Sequence, residues 1–399
     1  MTMNSLKAFT FFHILFLLCH SVQSQQEILK IKGVVLDQTK SSVPYAAIGI
    51  PSKWIGTSSN EDGNFYLELS KENLLDTIEV SSIGYITSKI LVKDFIESSE
   101  KTITLEEDIV SLDEVNILNP EQYVKLAFKN LKNNTVSSVH ELKILNRFFA
   151  VENDEAKFFV EHYIKVKDVG PRGGDGVNSI EVVEGRKSAD YRFFKDERSR
   201  KMYPINFMIM IDPLRRGLSI NNYKWTKIGD SSYDGEDIVI IQGVSNTKER
   251  QNYLDPVFYI GVDTYKVYKT RNRPSNVMYI YKKNKEGKLY LSYHNHYTRR
   301  FKDLNEHQQN NLRTKSKKAK LAVRNEIIVI GLETDKRKID TKDSFVYDKK
   351  MQDVSVKYNS FFWKNFNLPP PTEYYKKSVK ELESIYNVPL EAQFNSANK

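Results

Sequence analysis

The chain changes its hydrophobic rhythm twice. From Ile28 to about Leu105 the apolar positions come in short alternating runs separated by turn residues. "ILKIKGVVLD" stops at Asp37, "VPYAAIGIP" lies between two prolines, and "GTSSNEDGNFYLEL" passes from a polar cluster into strict alternation. There Phe65, Leu67 and Leu69 share one side while Tyr66 and Glu68 share the other, the period-two pattern of a strand with one buried face. "DTIEVSSIGY" places Ile78 and Val80 on one face, and "SKILV" and "KTITLEED" follow. Short strands at this spacing predict a small β-sandwich.

A helical period then replaces the alternation. Asn119 is suited to an N-cap, Pro120 to the first helical position and Gln122 to closing a capping box. Val124, Ala127, Phe128 and Leu131 follow at i, i+3, i+4 and i+7, so one helix face is apolar. From about Leu142 to Thr334 alternation returns in "ILNRFFAVEN", "KFFVEHYIKVKDV", "SIEVVEGRK", "EDIVIIQGV", "PVFYIGVDTYKVYKTRN", "VMYIYKKN", "KLYLSYHNHYTRRF" and "NEIIVIGLET". Lys, Arg, Glu and Tyr fill the alternate positions, as in antiparallel strands wet on one side. A closing helix capped at Thr372 carries a stripe of Tyr375, Val379, Leu382 and Tyr386.

The predicted fold is therefore mainly β. Residues 1–24 form a signal peptide, 25–107 a β-sandwich, 108–135 a linker and helix, and 136–399 an antiparallel β-sheet or half-barrel domain with a C-terminal helix.

Composition sharpens the address more than the activity. Lys7 precedes a short apolar run from Phe9 to Leu18, and Val22-Gln23-Ser24 is a small-x-small cleavage site, so an export signal is expected. Cys19 is the chain's one cysteine and falls within that signal. An exported chain without disulfides relies on its core for stability. This fits the periplasm or the outer membrane, and no lipid anchor is expected because Leu18 precedes Cys19. The formal charge of +9 is concentrated. Residues 299–324 hold nine basic side chains against Asp303 and Glu306, which reads as a solvated loop suited to an anionic membrane surface. Nucleic acid is not an expected partner. The alternating faces carry too much charge for an integral barrel.

The run Gly33-Val34-Val35, Pro44-Tyr45-Ala46-Ala47, Gly56-Thr57, Glu61-Asp62-Gly63-Asn64-Phe65 and Ser82-Ile83-Gly84-Tyr85 resembles the carboxypeptidase-regulatory-like domain. That resemblance implies a transthyretin-like sandwich without catalytic residues. It also implies the setting in which such modules are common: envelope proteins of Bacteroidetes-type bacteria, some of them TonB-dependent receptors. The stretches Tyr233–Ile241, Phe258–Asp263 and Tyr265-Lys266-Val267 resemble outer-membrane lipoprotein-carrier half-barrels. The later region, with "EGRKSADY" and "FFWKNFNLPPPTEYY", resembles uncharacterised β-rich proteins of about this length.

Tests for chemistry give little. His140 and Glu141 are adjacent, but Ile144 stands where a zincin helix needs its second His. His294-Asn295-His296 puts two imidazoles on one strand face with no third ligand to nominate. Gly170–Gly176 lacks the Lys-Ser/Thr of a phosphate loop and reads as a hairpin tip. No G-x-S-x-G elbow is present. Glu61-Asp62-Gly63-Asn64 reads as a hairpin turn, because Phe65, Leu67 and Leu69 occupy the space of an EF-hand loop.

No catalytic, cofactor or metal residue is expected. The expected function is a non-enzymatic binding or scaffolding role, with a lipid, a peptide or an outer-membrane protein as partner and an apolar concave sheet face as the ligand site. The alternatives are an accessory module of a TonB-dependent uptake system and a hydrolase with its site in the β-rich domain.

Overall fold

The computed structural model describes residues 28–53, 55–108, 118–171, 179–195, 202, 204–246, 255–273, 276–342, 350–354 and 356–398. The expected signal peptide, most of the linker and most of the Gly170–Gly176 loop lie outside these residues.

The alternating runs of the first domain fold into two small sheets. One has the order β4-β1-β7, from β1 (Ile28–Asp37), β4 (Asn64–Ser70) and β7 (Thr102–Leu105). The other has the order β3-β2-β5-β6, from β2 (Ala47–Ile50), β3 (Ile55–Ser58), β5 (Thr77–Ser81) and β6 (Ser88–Leu91). Phe65, Leu67, Leu69, Ile78 and Val80 all point into the core between them, joined by Phe95 of α1 (Val92–Glu97). The expected hairpin turn at Glu61–Asn64 is instead an arch, because β3 and β4 belong to different sheets. Sequence alternation marks both flanking strands but does not say whether they pair.

Helix α2 (Pro120–Asn134) begins as its cap residues dictate. Asn119 Oδ1 accepts from Glu121 N at 3.0 Å, and Gln122 Oε1 accepts from Asn119 N at 3.2 Å. Its buried residues Tyr123, Val124, Ala127 and Leu131 face a ten-stranded antiparallel sheet. In chain order the strands of that sheet are β8 (His140–Glu152), β9 (Glu155–Asp168), β10 (Ser179–Lys187), β11 (Tyr223–Tyr233), β12 (Glu236–Ser245), β13 (Asp255–Gly261), β14 (Val267–Arg273), β15 (Asn276–Lys283), β16 (Leu289–Asp303) and β17 (Lys318–Glu333). The spatial order is β10-β9-β8-β17-β16-β15-β14-β13-β12-β11, and β10 and β11 remain edges, so the sheet does not close into a barrel.

The face of this sheet expected to be an open ligand site is filled by the chain itself. Helix α2, α3 (Ile205–Met210) and α4 (Pro213–Arg216) pack there, with Met208, Ile209 and Leu214 in one core with Ile144, Phe258, Tyr279 and Ile327. On the opposite face, after the short helix α6 (Ser360–Asn365), α7 (Glu373–Ser384) and α8 (Leu390–Ala397) cover Phe149 and Phe159 through Leu382, Leu390 and Phe394. The stripe on α7 is shorter than expected. Tyr375 and Val379 pack and Leu382 is buried, but Tyr386 lies beyond the helix and is 72% exposed.

The basic segment also differs from its reading as a loop. Strand β16 runs on to Asp303, α5 (Glu306–Asn311) forms a cap, and β17 starts at Lys318. Ala319 and Leu321 anchor this hairpin end by packing with Phe194 and Leu304. Lys318 and Lys320 alternate with Ala319 and Leu321, a strand period within a segment whose density of charge reads as a loop.

Candidate functional site

The sandwich is seated on the helix-poor part of the large sheet, and the stretches that carried the family resemblance make the seam. The arch is shaped from within: Asn60 Oδ1 accepts from Asp62 N and Asn64 N, both at 2.9 Å. Gly63 holds φ at +78°, and a Cβ there would lie 2.4 Å from the Val35 carbonyl oxygen, so only glycine fits. Its outward groups reach across. Asp62 Oδ2 accepts from Glu373 N at 2.7 Å in the first turn of α7, where the helix dipole favours an acid. Asn60 Nδ2 donates to the Pro370 carbonyl at 3.1 Å. Arg324 Nη1 donates to Glu61 Oε1 at 3.1 Å, and Nη2 pairs with Glu61 Oε2.

Tyr45 and Gly84 complete the seam. The Tyr45 backbone is left-handed at φ +60°, which is uncommon for a bulky side chain and strained. That conformation lays its ring on Tyr293, with centroids 4.0 Å apart, and its hydroxyl donates to the Tyr293 hydroxyl at 2.9 Å. Gly84 N donates to the Ser232 carbonyl at 2.7 Å.

Beneath the arch, carboxylates and guanidiniums alternate across the sheet. Arg324 Nη2 donates to Glu326 Oε1 at 2.7 Å, and Tyr293 donates to the same oxygen at 3.0 Å. Arg147 is the cross-strand neighbour of both Glu326 and Glu161. Its Nε donates to Glu161 Oε1 at 2.5 Å, and Arg186 Nε donates to Glu161 Oε2 at 2.6 Å. Burial alone would raise the Glu161 carboxyl, but the two guanidiniums hold it below the usual range. Aromatic faces shield the arginines: Tyr374 for Arg324, Tyr375 for Arg147 and Trp363 for Arg186. Three acids thus balance three arginines.

Between the two domains lies a cleft of about 910 Å³. Tyr45, Ile55, Tyr290, Ile328, Ile330 and Leu368 provide much of its apolar wall. Lys282 of β15 projects to the sandwich side, where its amine donates to Ser58 Oγ and lies 3.4 Å from the Thr57 carbonyl oxygen. Burial lowers this amine from the ordinary lysine range to about 7. Lys283, its neighbour, pairs with Asp234 at 2.7 Å.

The remaining charged clusters are structural. Arg215 of α4 grips Asp168 through two hydrogen bonds of 2.8 and 2.6 Å, with His140 Nε2 at 3.4 Å from the same carboxylate. Asp212 caps α4 by accepting from Leu214 N at 3.1 Å, and it also accepts from Thr270 and Tyr281 hydroxyls.

The expected two-histidine strand face exists, but it points into the core. The His294 and His296 rings are 6.5 Å apart, and His294 stacks on Tyr279 at 4.3 Å. Among the described residues no three His, Cys, Asp or Glu side chains gather as a metal site. His140 and Glu141 lie at the start of β8, with Glu141 accepting from the Thr341 hydroxyl at 2.7 Å. Sequence reasoning passed over Glu61, Lys282, Tyr293, Arg324 and Glu326. Their partners stand on distant segments, so spacing along the chain carries no signal for them. Among the described residues, no helix is long and apolar enough to cross a membrane.

Solved structures that align with this chain include an outer membrane lipoprotein-sorting protein domain from Vibrio parahaemolyticus, at 11% identity, TM-score 0.29, covering 55% of this chain and 94% of that one. A DUF1329 family protein from Desulfovibrio piger aligns at 9% identity, TM-score 0.27, over 56% of this chain and 96% of that one. A LolA superfamily protein from Nitrosomonas europaea aligns at 12% identity, TM-score 0.24, over 57% and 99%. No curated protein matches the chain. Residues 31–117 match the family model of the CarboxypepD_reg-like domain, and the sandwich that forms one wall of the cleft is a domain of that family.

Proposed function

We propose that this protein is a non-enzymatic binding protein of the bacterial envelope and that the cleft between its two domains is the binding site. The cleft itself carries this reading: about 910 Å³ of space whose lining joins an aliphatic and aromatic stretch to hydroxyl and charged groups. Its volume and its place at a domain interface are those of small-molecule sites. The clustered acids and arginines below it are engaged with one another, which suits a scaffold better than a reaction centre. A signal sequence at residues 1–24 accounts for export to the periplasm or the outer-membrane surface.

The apolar dye Nile red tests the site. It should bind the wild-type protein with a fluorescence rise, and Ile328→Trp and Ile330→Trp should each weaken binding at least ~10-fold by filling the wall. Absence of dye binding, or binding by both variants as tight as that of the wild type, overturns the reading.

A second contact is supported by the basic hairpin end. Arg299, Arg300, Arg313, Lys315, Lys317 and Lys318 are exposed there, beside Phe301 at 61% exposure. Such a surface suits an anionic membrane, with the Phe301 ring entering the interface.

A further inference from the structure

The charges around the cleft do not all cancel within the protein. Glu61 and Glu326 are held by Arg324, Glu68 by Lys30, Glu79 by Lys89 and Asp234 by Lys283. Arg147 is held by Glu161. Lys285 is exposed to solvent and Glu333 accepts from Asp335 N at 2.8 Å. Lys282 differs in being half-buried: among the described residues no carboxylate reaches it, and its contacts are the Ser58 hydroxyl and the Thr57 carbonyl oxygen. An ammonium has three donors, so one N–H remains for a ligand. A buried cation without a counter-charge is costly, and a ligand acid would remove that cost. One such amine matches one negative charge.

The lining is mixed, with Glu68, Glu79 and Lys285 beside an apolar stretch, and that stretch suits a hydrocarbon body. Ile55, Ile328, Ile330 and Leu368 offer no hydrogen bonds, while Tyr45, Tyr290 and Tyr293 offer ring faces and edges. The volume of about 910 Å³ is ample for an acyl chain or a compact ring system.

We propose that the cleft takes an apolar organic acid, with its single carboxylate seated between Lys282 of the large sheet and Ser58 of the sandwich and its hydrocarbon part along the apolar wall. This rests on the cleft being the binding site. The bound acid contacts both domains at once and so strengthens their seam. Ser58 adds a hydroxyl donor to the same carboxylate, and Lys282 supplies the charge.

Competition against Nile red separates the acid from the cleft. Dodecanoate should displace the dye at a concentration at least ~10-fold lower than dodecanol does. K282M keeps the side chain's length and should bring dodecanoate to the level of dodecanol, the two competitors being compared within that variant. K282R should retain the preference for the acid. Equal competition by acid and alcohol in the wild type, or an acid preference that survives in K282M, overturns the carboxylate seat while leaving the cleft reading intact. Stronger competition by dodecyl phosphate than by dodecanoate also overturns the carboxylate assignment. If Nile red fails to bind at all, the cleft reading fails and the acid seat falls with it.

Discussion

Two buried imidazoles make the fold sensitive to mild acid. His294 is fully buried, and Nδ1 lies 3.1 Å from the Met278 carbonyl oxygen, so that nitrogen carries the proton and Nε2 is left without a partner. His162 is 2% exposed, and its Nδ1 has no partner. Among the described residues no acceptor faces His294 Nε2 or His162 Nδ1. Burial lowers His294 to about 3, helped by the nearby His296, and lowers His162 to about 4, helped by Lys187. In the unfolded chain both titrate near the ordinary value of about 6.5. Above that value both states are neutral and no stability is at stake. As pH falls below it, the unfolded chain binds protons that the folded one refuses, so stability drops until the folded values are reached. Between pH 7 and pH 5 each imidazole should cost about 2 kcal/mol, about 4 kcal/mol for the pair. Glu161 and Asp168 are lowered carboxylates, so their losses belong to more acidic solution. Urea unfolding at pH 7 and pH 5 tests the figure. His294→Phe keeps the stack on Tyr279, and His162→Leu keeps an apolar filling. Each should shrink the difference between the two pH values by about 2 kcal/mol, whatever it does to stability at pH 7. If both variants lose as much stability as the wild type between the two pH values, the buried neutral imidazole is the wrong cause.

Two further predictions concern the seam and the hairpin. Glu61→Gln should weaken the docking of the sandwich by about 1–2 kcal/mol, less than for a fully buried pair because Glu61 is partly exposed and Arg324 keeps Glu326. Hydrogen exchange should then rise at the amides of residues 60–64 and at Glu373, and unchanged exchange there would show that the pair does not hold the domains. Replacing Arg300 and Lys317 by Glu should reduce sedimentation with phosphatidylglycerol vesicles, since each basic residue near such a surface adds about 1 kcal/mol. Equal sedimentation of wild type and variant would remove the membrane contact.

Local patterning in the sequence reaches as far as the elements and then stops. Asn119, Pro120 and Gln122 cap α2 as their chemistry requires, because capping is settled within four residues. Phe65, Leu67 and Leu69 face the sandwich core because period two leaves them no other choice. The seam obeys no such rule. Glu61 and Arg324 are far apart in sequence and meet only after both domains have folded. The interior face of the large sheet was also illegible as a closed core, since Met208, Ile209 and Leu214 reach it from a segment with no strong period of its own. Lys282 looks like any wet-face lysine until Ser58 is placed opposite it.

The arch at Asn60–Asn64 separates two kinds of information. Asn60 Oδ1 and Gly63 set its shape, whereas Glu61 and Asp62 set what it touches. The first pair makes the module recognisable from sequence. The second pair joins Tyr45, Gly84 and Asn60 Nδ2 in holding it against the rest of the chain. Chains that share Asn60 and Gly63 but differ at Glu61 and Asp62 would keep the same module and lose two of the contacts that close one end of the cleft. Recognising the module therefore predicts its fold, while a change of two acids would retune what the whole protein holds.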